Sequence, residues 1–238
     1  MNFNELGNLP GLPEQPNVII RLFNKVIKRI GFNYELTRLP NGRVHMHTIE
    51  QRINFSLLAL CNLVYKVPGE WAEFGCYNGQ SAMVFQKILD TYKSGSKITL
   101  FDSFVAKYVK HETVKKNLLS NFKNQGLGEP ILIEGNFYDT VPSSLAEQYS
   151  LVHIDCGVGG DQLLTQKLVE YLLNHIYHRL SKGAVLLFMD YHDPNSTWKG
   201  VPINPGVKAA CDRFFEDKPE KVFSLYGNHY SHGFIFKM

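Results

Sequence analysis

Two carboxylates in this sequence stand at the ends of apolar runs, where an acid needs a reason to be. Asp155 follows Leu151-Val152-His153-Ile154, and Asp190 follows Val185-Leu186-Leu187-Phe188-Met189. Desolvating a carboxylate at such a position is costly, and the neighbouring sequence offers no obvious cation to offset it. If the two runs are adjacent strands they lie about 4.8 Å apart. Their side chains then converge on one hydroxyl or on one divalent cation, and hard oxygen ligands of this kind suit Mg²⁺ or Ca²⁺ better than zinc. The bland alternative is that each acid caps the loop or helix that follows it. His192 comes two residues after Asp190 and is a candidate base, because a free imidazole titrates at roughly pH 6.5; a lone loop histidine is equally compatible with plain solvation. Asp155, Asp190 and His192 are therefore the candidate catalytic residues, and the two aspartates the candidate metal ligands. His153 shares a strand face with Asp155, but one such pair is no metal motif, and His229 and His232 are given no role.

A second cluster reads as a binding loop. Glu73-Phe74-Gly75-Cys76-Tyr77-Asn78-Gly79 is an acid-x-Gly-x-x-x-Gly segment between an apolar run and a helix that starts near Gln80-Ser81. Glycines there permit close backbone approach, and a helix start offers free N–H groups to an anion such as a carboxylate. A tight turn alone would also account for them. The next run, Lys97 to Phe101, ends in Asp102-Ser103, where an acid is placed to accept bonds from both hydroxyls of a ribose. A dinucleotide would call for G-x-G-x-x-G around its pyrophosphate, which is absent. S-adenosylmethionine has a ribose, an adenine and an amino acid but no phosphate, and suits this loop better. A third run, Ile131 to Glu134, leads into Gly135-Asn136-Phe137, where Phe137 has two readings, a border for the adenine ring or a core residue. The candidate cofactor contacts are Glu73, Gly75, Tyr77, Asn78, Gly79, Ser81, Asp102, Ser103, Gly135, Asn136, Phe137 and Asp155.

These residues need a scaffold that brings several strand ends together. From position 70 short apolar runs alternate with amphipathic helices: EWAEFG, GQSAMVFQKILDTY, KITLFDS, KHETVKKNLLSNFKNQG, PILIEGNF, LVHIDC, LLTQKLVEYLLNHIYHRL and GAVLLFMDY. Nearly continuous apolar strands separated by helices imply an α/β fold, a parallel sheet covered on both faces. In such a sheet ligands bind beyond the carboxyl ends of the strands, where the candidate residues fall. A helix near VKAACDRFFED leads to KVFSLY and HGFIFKM, which the turn pair Gly227-Asn228 joins as an antiparallel terminal hairpin. The 191–206 segment is rich in Pro and Gly, carries Trp198, and reads as a lid or substrate wall.

Ahead of this unit the pattern is helical. Residues 1–17 form an irregular leader, 18–31 a basic amphipathic helix, Pro40-Asn41-Gly42 a turn, and IEQRINFSLLALCNLVYKV a long helix ending at Pro68-Gly69. This divides the chain into an N-terminal leader and helical cap, 1–66, and a cofactor-binding catalytic domain, 67–238. The cap helices are expected to cover the cofactor entrance or to join two subunits, which makes a homodimer the expected assembly.

Composition narrows the partners. A net charge of +3, from 25 basic and 22 acidic residues with no Lys/Arg block, gives no footprint for nucleic acid. No basic and apolar leader and no apolar run of membrane length stand in the sequence, so the expected location is the cytoplasm and a membrane is not an expected partner. Cys61, Cys76, Cys156 and Cys211 show no CxxC spacing and read as buried, reduced thiols.

Taken in order, GEWAEFGCYNGQSA, FDSF, ILIEGNFYDTVP, LVHIDC, LSKGAVLLFMDY and PGVKAACDRFF resemble the macrocin-type O-methyltransferases, which methylate sugar hydroxyls of macrolide and related natural products. The resemblance spans roughly positions 45–217. It implies a Rossmann-like class I methyltransferase fold with a seven-stranded, mostly parallel sheet, S-adenosylmethionine as donor, and commonly a Mg²⁺ ion that helps bind and acidify a small hydroxylated acceptor. By motif, Glu73 and Gly75 fall in the cofactor loop, Asp102 at the ribose, and Asp155 and Asp190 at the metal or base site. Two departures stand out: Met189 replaces the first acid of the family's Asp-Asp-Tyr, and Gly157 stands where an acid often follows Asp155. They keep a second function in play, a non-catalytic relative that binds S-adenosylmethionine. A nucleotide-binding oxidoreductase is disfavoured by the missing diphosphate loop.

Overall fold

The computed structural model describes residues 17–31, 36, 49–105, 113–159, 161–193, 204–227 and 230–238. The leader before residue 17, the Pro40-Asn41-Gly42 turn, Trp198 with the stretch 194–203, and Asn228 with His229 lie outside the described residues. The chain divides into two compact units, Met1–Met46 and His47–Met238.

The first unit contains helix α1 (Val18–Arg29), started by Asn17, whose side-chain oxygen accepts the amide of Ile20 at 3.0 Å. Asn24 is buried, and its side chain bonds both backbone groups of Leu36, at 2.7 and 2.8 Å. The opposite, apolar side of the helix, with Val18, Leu22, Phe23 and Val26, is exposed.

The second unit opens with α2 (Ile49–Val64) and then alternates: β1 (Glu70–Phe74), α3 (Gln80–Thr91), β2 (Ile98–Asp102), α4 (Thr113–Asn124), β3 (Ile131–Glu134), α5 (Phe137–Ser144), β4 (Tyr149–Ile154), α6 (Gln162–Ile176), β5 (Leu180–Met189), α7 (Pro205–Phe214), β6 (Phe223–Gly227) and β7 (Tyr230–Phe236). One seven-stranded sheet runs β3-β2-β1-β4-β5-β7-β6. Pairs from β3 through β5 are parallel, whereas β7 is antiparallel to both β5 and β6. This is the parallel α/β sheet with an antiparallel terminal hairpin that the alternation predicts, in the Rossmann-like seven-stranded form that the resemblance implies, with β6 at the edge. The chain order reverses beside β1, so the switch point at which open α/β sheets bind ligands falls between β1 and β4.

Side chains alternate across the strands and build two cores. On one face Ala72, Phe74, Val152, Ile154, Leu186 and Phe188 pack on Val169, Leu172 and Ile176 of α6 and on Val207, Ala210 and Cys211 of α7. On the other, Phe55 of α2 lies against Phe85 of α3 and His153 of β4. Asn62 of α2 fastens that helix to the sheet, donating to the Ser150 carbonyl at 2.6 Å and accepting from the Trp71 indole at 3.1 Å. The boundary expected after residue 66 therefore moves to 46/47: α2 is a layer of the sheet unit, with Phe55 and Ala59 fully buried. Among the described residues no helix is long and apolar enough to cross a membrane.

Of the four cysteines, all free, Cys76 and Cys211 are buried and Cys61 and Cys156 half-buried. Burial, with Asp102 and Glu73 close by, pushes the Cys76 thiol well up, and burial does the same to Cys211, so neither is a ready nucleophile.

Candidate active site at the carboxyl ends of β1, β2, β4 and β5

The loop from β1 to α3 is shaped by contact with its neighbours. Gly75 adopts φ +83°, donates its amide to the Phe101 carbonyl at 2.9 Å, and presses so closely on β4 that a Cβ would lie 2.1 Å from the Asp155 carbonyl oxygen. No L side chain fits there. Tyr77 follows at φ +44° with its side chain partly exposed, Asn78 gives its carbonyl to the Asn121 side chain at 3.0 Å, and Gly79 turns the chain into α3.

Asp102, at the end of β2, closes this loop. Its Oδ2 accepts the amides of Cys76 and Tyr77 at 2.8 and 2.9 Å, and its Oδ1 accepts that of Phe104 at 2.8 Å. A carboxylate offers about four lone-pair sites, and these amides, with the Cys76 thiol as a further side-chain partner, occupy most of them. The sequence assigns Asp102 to a ligand, and the structure adds a role in holding the loop that would receive it. Ser103 is exposed, its hydroxyl accepting the Val105 amide at 3.4 Å. Gly135 brings the end of β3 alongside by donating to the Asp102 carbonyl at 3.0 Å. Asn136 caps α5 through the Tyr138 amide at 3.0 Å, and the half-buried Phe137 ring packs edge-on against Phe74 at 6.1 Å, on the margin of the core.

Glu73 is fully buried one residue before the close approach of Phe74 and Gly75 to β4. Its Oε1 accepts the Ser81 hydroxyl from the first turn of α3 and lies 2.8 Å from His153 Nδ1. Phe55 and Phe85 wall the imidazole at ring-centre distances of 5.0 and 5.8 Å. Burial opposes a charge on His153, but the bond to Glu73 and the charges of Glu73, Asp155 and Asp190 outweigh it and raise its pKa. This pair was not legible as a unit in sequence; its only signal was His153 sharing a strand face with Asp155.

At the reacting centre β4 and β5 are paired neighbours, Ile154 opposite Phe188. The pKa of Asp155 is raised to about 7 by burial, with the opposing pull of His153 weaker and the charge of Asp190 adding to the rise. Asp190 leaves β5 at φ +61°, and Asn204, just before α7, donates its side-chain amide to Asp190 Oδ2. Burial raises the Asp190 pKa, while the Asn204 bond and His153 pull against it. His192, two residues on, has its Nδ1 2.8 Å from the Ser231 hydroxyl of β7. Tyr191 is buried with its hydroxyl toward Asp212, 3.5 Å away.

The Mg²⁺ ion implied by the resemblance does not fit these residues. Met189 puts a soft thioether where an acid would be, and its sulfur receives the Gln51 amide at 3.9 Å. Gly157 supplies no ligand, and an amide N–H, a donor, already points at the Asp190 oxygen. Mg²⁺ keeps several waters and needs only one or two carboxylates, so what stands against it here is not the number of acids but the Asn204 donor on Asp190 Oδ2 together with the soft sulfur of Met189. Among the described residues the one trio of His, Cys, Asp or Glu close enough to share a metal is Glu73, His153 and Asp155, in which His153 Nδ1 already lies 2.8 Å from Glu73.

Residues 72–191 match the family model described as "Methyltransferase domain". No curated protein matches the chain. Among solved structures, the O-methyltransferase NovP superposes with a TM-score of 0.64 at 17% identity, over 81% of this chain and 82% of that one. The SAH-bound methyltransferase PaMTH1 of Podospora anserina gives 0.57 at 17% identity, over 99% and 93%. An O-methyltransferase of Bacillus cereus in complex with SAH gives 0.56 at 12% identity, over 98% and 96%.

Proposed function

The chain belongs to the methyltransferase-domain family, and from that premise we propose that it is an S-adenosylmethionine-dependent O-methyltransferase acting on a hydroxyl of a small molecule, a sugar or another natural-product intermediate. The observation that carries the reading is the junction of Gly75 with the Asp155 backbone, closed on its other side by Asp102. It joins the loop suited to the donor's amino acid and ribose to the carboxylate suited to the acceptor. The choice of a hydroxyl acceptor draws on the macrocin-type resemblance and on NovP, named as an O-methyltransferase.

In this reading Glu73, Gly75, Tyr77, Asn78, Gly79 and Ser81 form the amino-acid end of the donor site, and Asp102, Ser103, Gly135 and Asn136 its nucleoside end. Asp155 takes the acceptor's proton as the hydroxyl oxygen bonds the methyl carbon and the carbon–sulfur bond breaks, leaving a neutral thioether. A carboxyl with a pKa of about 7 is matched to that task near neutrality. Alignment of the two substrates supplies much of the rate. Asp190 assists by its charge from the adjacent strand.

Calorimetric titration with S-adenosylmethionine and S-adenosylhomocysteine tests the reading. Asp102→Ala weakens both by about 10- to 100-fold, the loss of a charge-assisted bond, and a wild-type protein that binds neither removes the proposal. Met189 and Gly157 favour one second reading, a relative that binds the donor without transferring its methyl group. Turnover across a panel of hydroxylated acceptors separates the two.

A further inference from the structure

We infer that Asn204 stands in for the divalent cation, its side-chain amide holding Asp190 in place so that the reacting centre works without a metal ion. The inference rests on the functional reading for what Asp155 and Asp190 do. Its geometry and its first test are independent of that reading.

Three observations converge on Asn204. Its amide donates to Asp190 Oδ2. The same amide group fills the space over residue 157: a Cβ on Gly157 would lie 2.8 Å from both Asn204 Nδ2 and Oδ1. A side chain at 157 would therefore push the Asn204 amide from the place it holds beside Asp190. Third, Asn204 is delivered by a rigid mount. Pro205 fixes the first turn of α7, the Val207 amide returns to the Asn204 carbonyl at 3.0 Å, and Gly206 sits so tightly on α6 that a Cβ would lie 2.2 Å from the Gln162 carbonyl oxygen.

The chemistry is consistent with the geometry. A cation between two carboxylates would relieve their repulsion and fix their orientation. A neutral amide donor fixes Asp190 and favours its ionised form through the hydrogen bond, without adding a charge beside Asp155. Met189 supplies only a soft sulfur, which receives the Gln51 amide at 3.9 Å.

The test uses Mn²⁺ as the probe, followed by electron paramagnetic resonance on the full chain, with no donor or acceptor present. Wild type leaves equimolar Mn²⁺ free. Asn204→Asp puts a third carboxylate beside Asp155 and Asp190 and creates binding, which Asp190→Asn in the same chain abolishes. Asn204→Ala creates no binding, and a thermal melt confirms that each variant is folded. Stoichiometric Mn²⁺ on wild type that is lost in Asp190→Asn overturns the inference, and so does a folded Asn204→Asp that gains no binding. A wild-type protein that fails to bind S-adenosylmethionine strikes the functional reading and leaves these outcomes untouched.

Discussion

Replacing Gly75 by alanine asks whether the contact of the β1–α3 loop with β4 is what shapes the site. Two costs are separable. An L residue at positive φ costs about 1–2 kcal/mol, and forcing a methyl group into packed backbone costs about 1–3 kcal/mol more. Gly95 provides the control, since it has a similar φ of +76° but nothing within 4 Å of the point where a methyl group would stand. Gly95→Ala bears only the first cost, whereas Gly75→Ala bears both, because its Cβ meets the Asp155 carbonyl oxygen at 2.1 Å and the carbonyl carbon at 2.8 Å. For a chain of this size each kcal/mol lowers the melting temperature by about 2–4 °C. Gly75→Ala is thus expected to melt about 2–12 °C below Gly95→Ala, measured by calorimetric or fluorescence melting. Because the only relief is to move the loop off β4, it is also expected to lose S-adenosylmethionine binding, while Gly95→Ala keeps it. Equal melting of the two variants with undiminished binding would refute the reasoning.

Asp155→Asn keeps the shape of the side chain and removes its proton affinity, so donor binding persists while turnover falls about 100- to 10,000-fold; chelator leaves wild-type turnover unchanged, and wild-type rates in the variant would return Asp155 to a structural role. At the far end of the sheet, Glu220 accepts bonds from Lys237 at 2.8 Å, Tyr177 at 2.7 Å and the Met238 amide at 3.0 Å, which together outweigh burial and lower its pKa from 4.5 to about 2. Its contribution to stability is present above pH 4.5 and is lost as the pH falls toward about 2; denaturant melts at a series of pH values should show this loss in wild type and lack it in Glu220→Gln. Removal of residues 1–46 is expected to leave a folded, donor-binding unit, whereas removal of 1–66 strips α2 from the sheet and gives aggregation on size-exclusion chromatography. Equal solubility of the two truncations would count against α2 as a layer of that unit.

The succession of strands and helices and the parallel character of the sheet were legible because their signals are local. Apolar runs such as Leu151 to Ile154, breaks such as Pro68-Gly69, and a glycine loop after the first strand each declare themselves within a few residues. The strand-end acids were legible for the same reason. What escaped depends on approach between distant segments. Nothing near Asp102 in sequence reveals that Cys76 and Tyr77 donate to it, nothing near Glu73 reveals His153, and Asn204 gains its meaning only because Gly157 leaves room for it. The domain boundary was misplaced because α2 looks like one more amphipathic helix; Asn62, polar and unremarkable in sequence, is what ties it to Ser150 and Trp71.

The bond between Asp190 and Asn204 also joins the two ends of the stretch that connects β5 to α7. Its anchors are fixed by the sheet on one side and by α6 on the other. Lengthening a segment between fixed ends is cheap, about 0.6 kcal/mol for each doubling. Residues within that stretch are thus free to change in number and kind while Asp190 and Asn204 keep their places. If the stretch lines the acceptor, selectivity can be bred there by insertion and randomisation without disturbing the chemistry. Libraries confined to positions 194–203 are the natural place to look for altered acceptor preference in descendants of this enzyme.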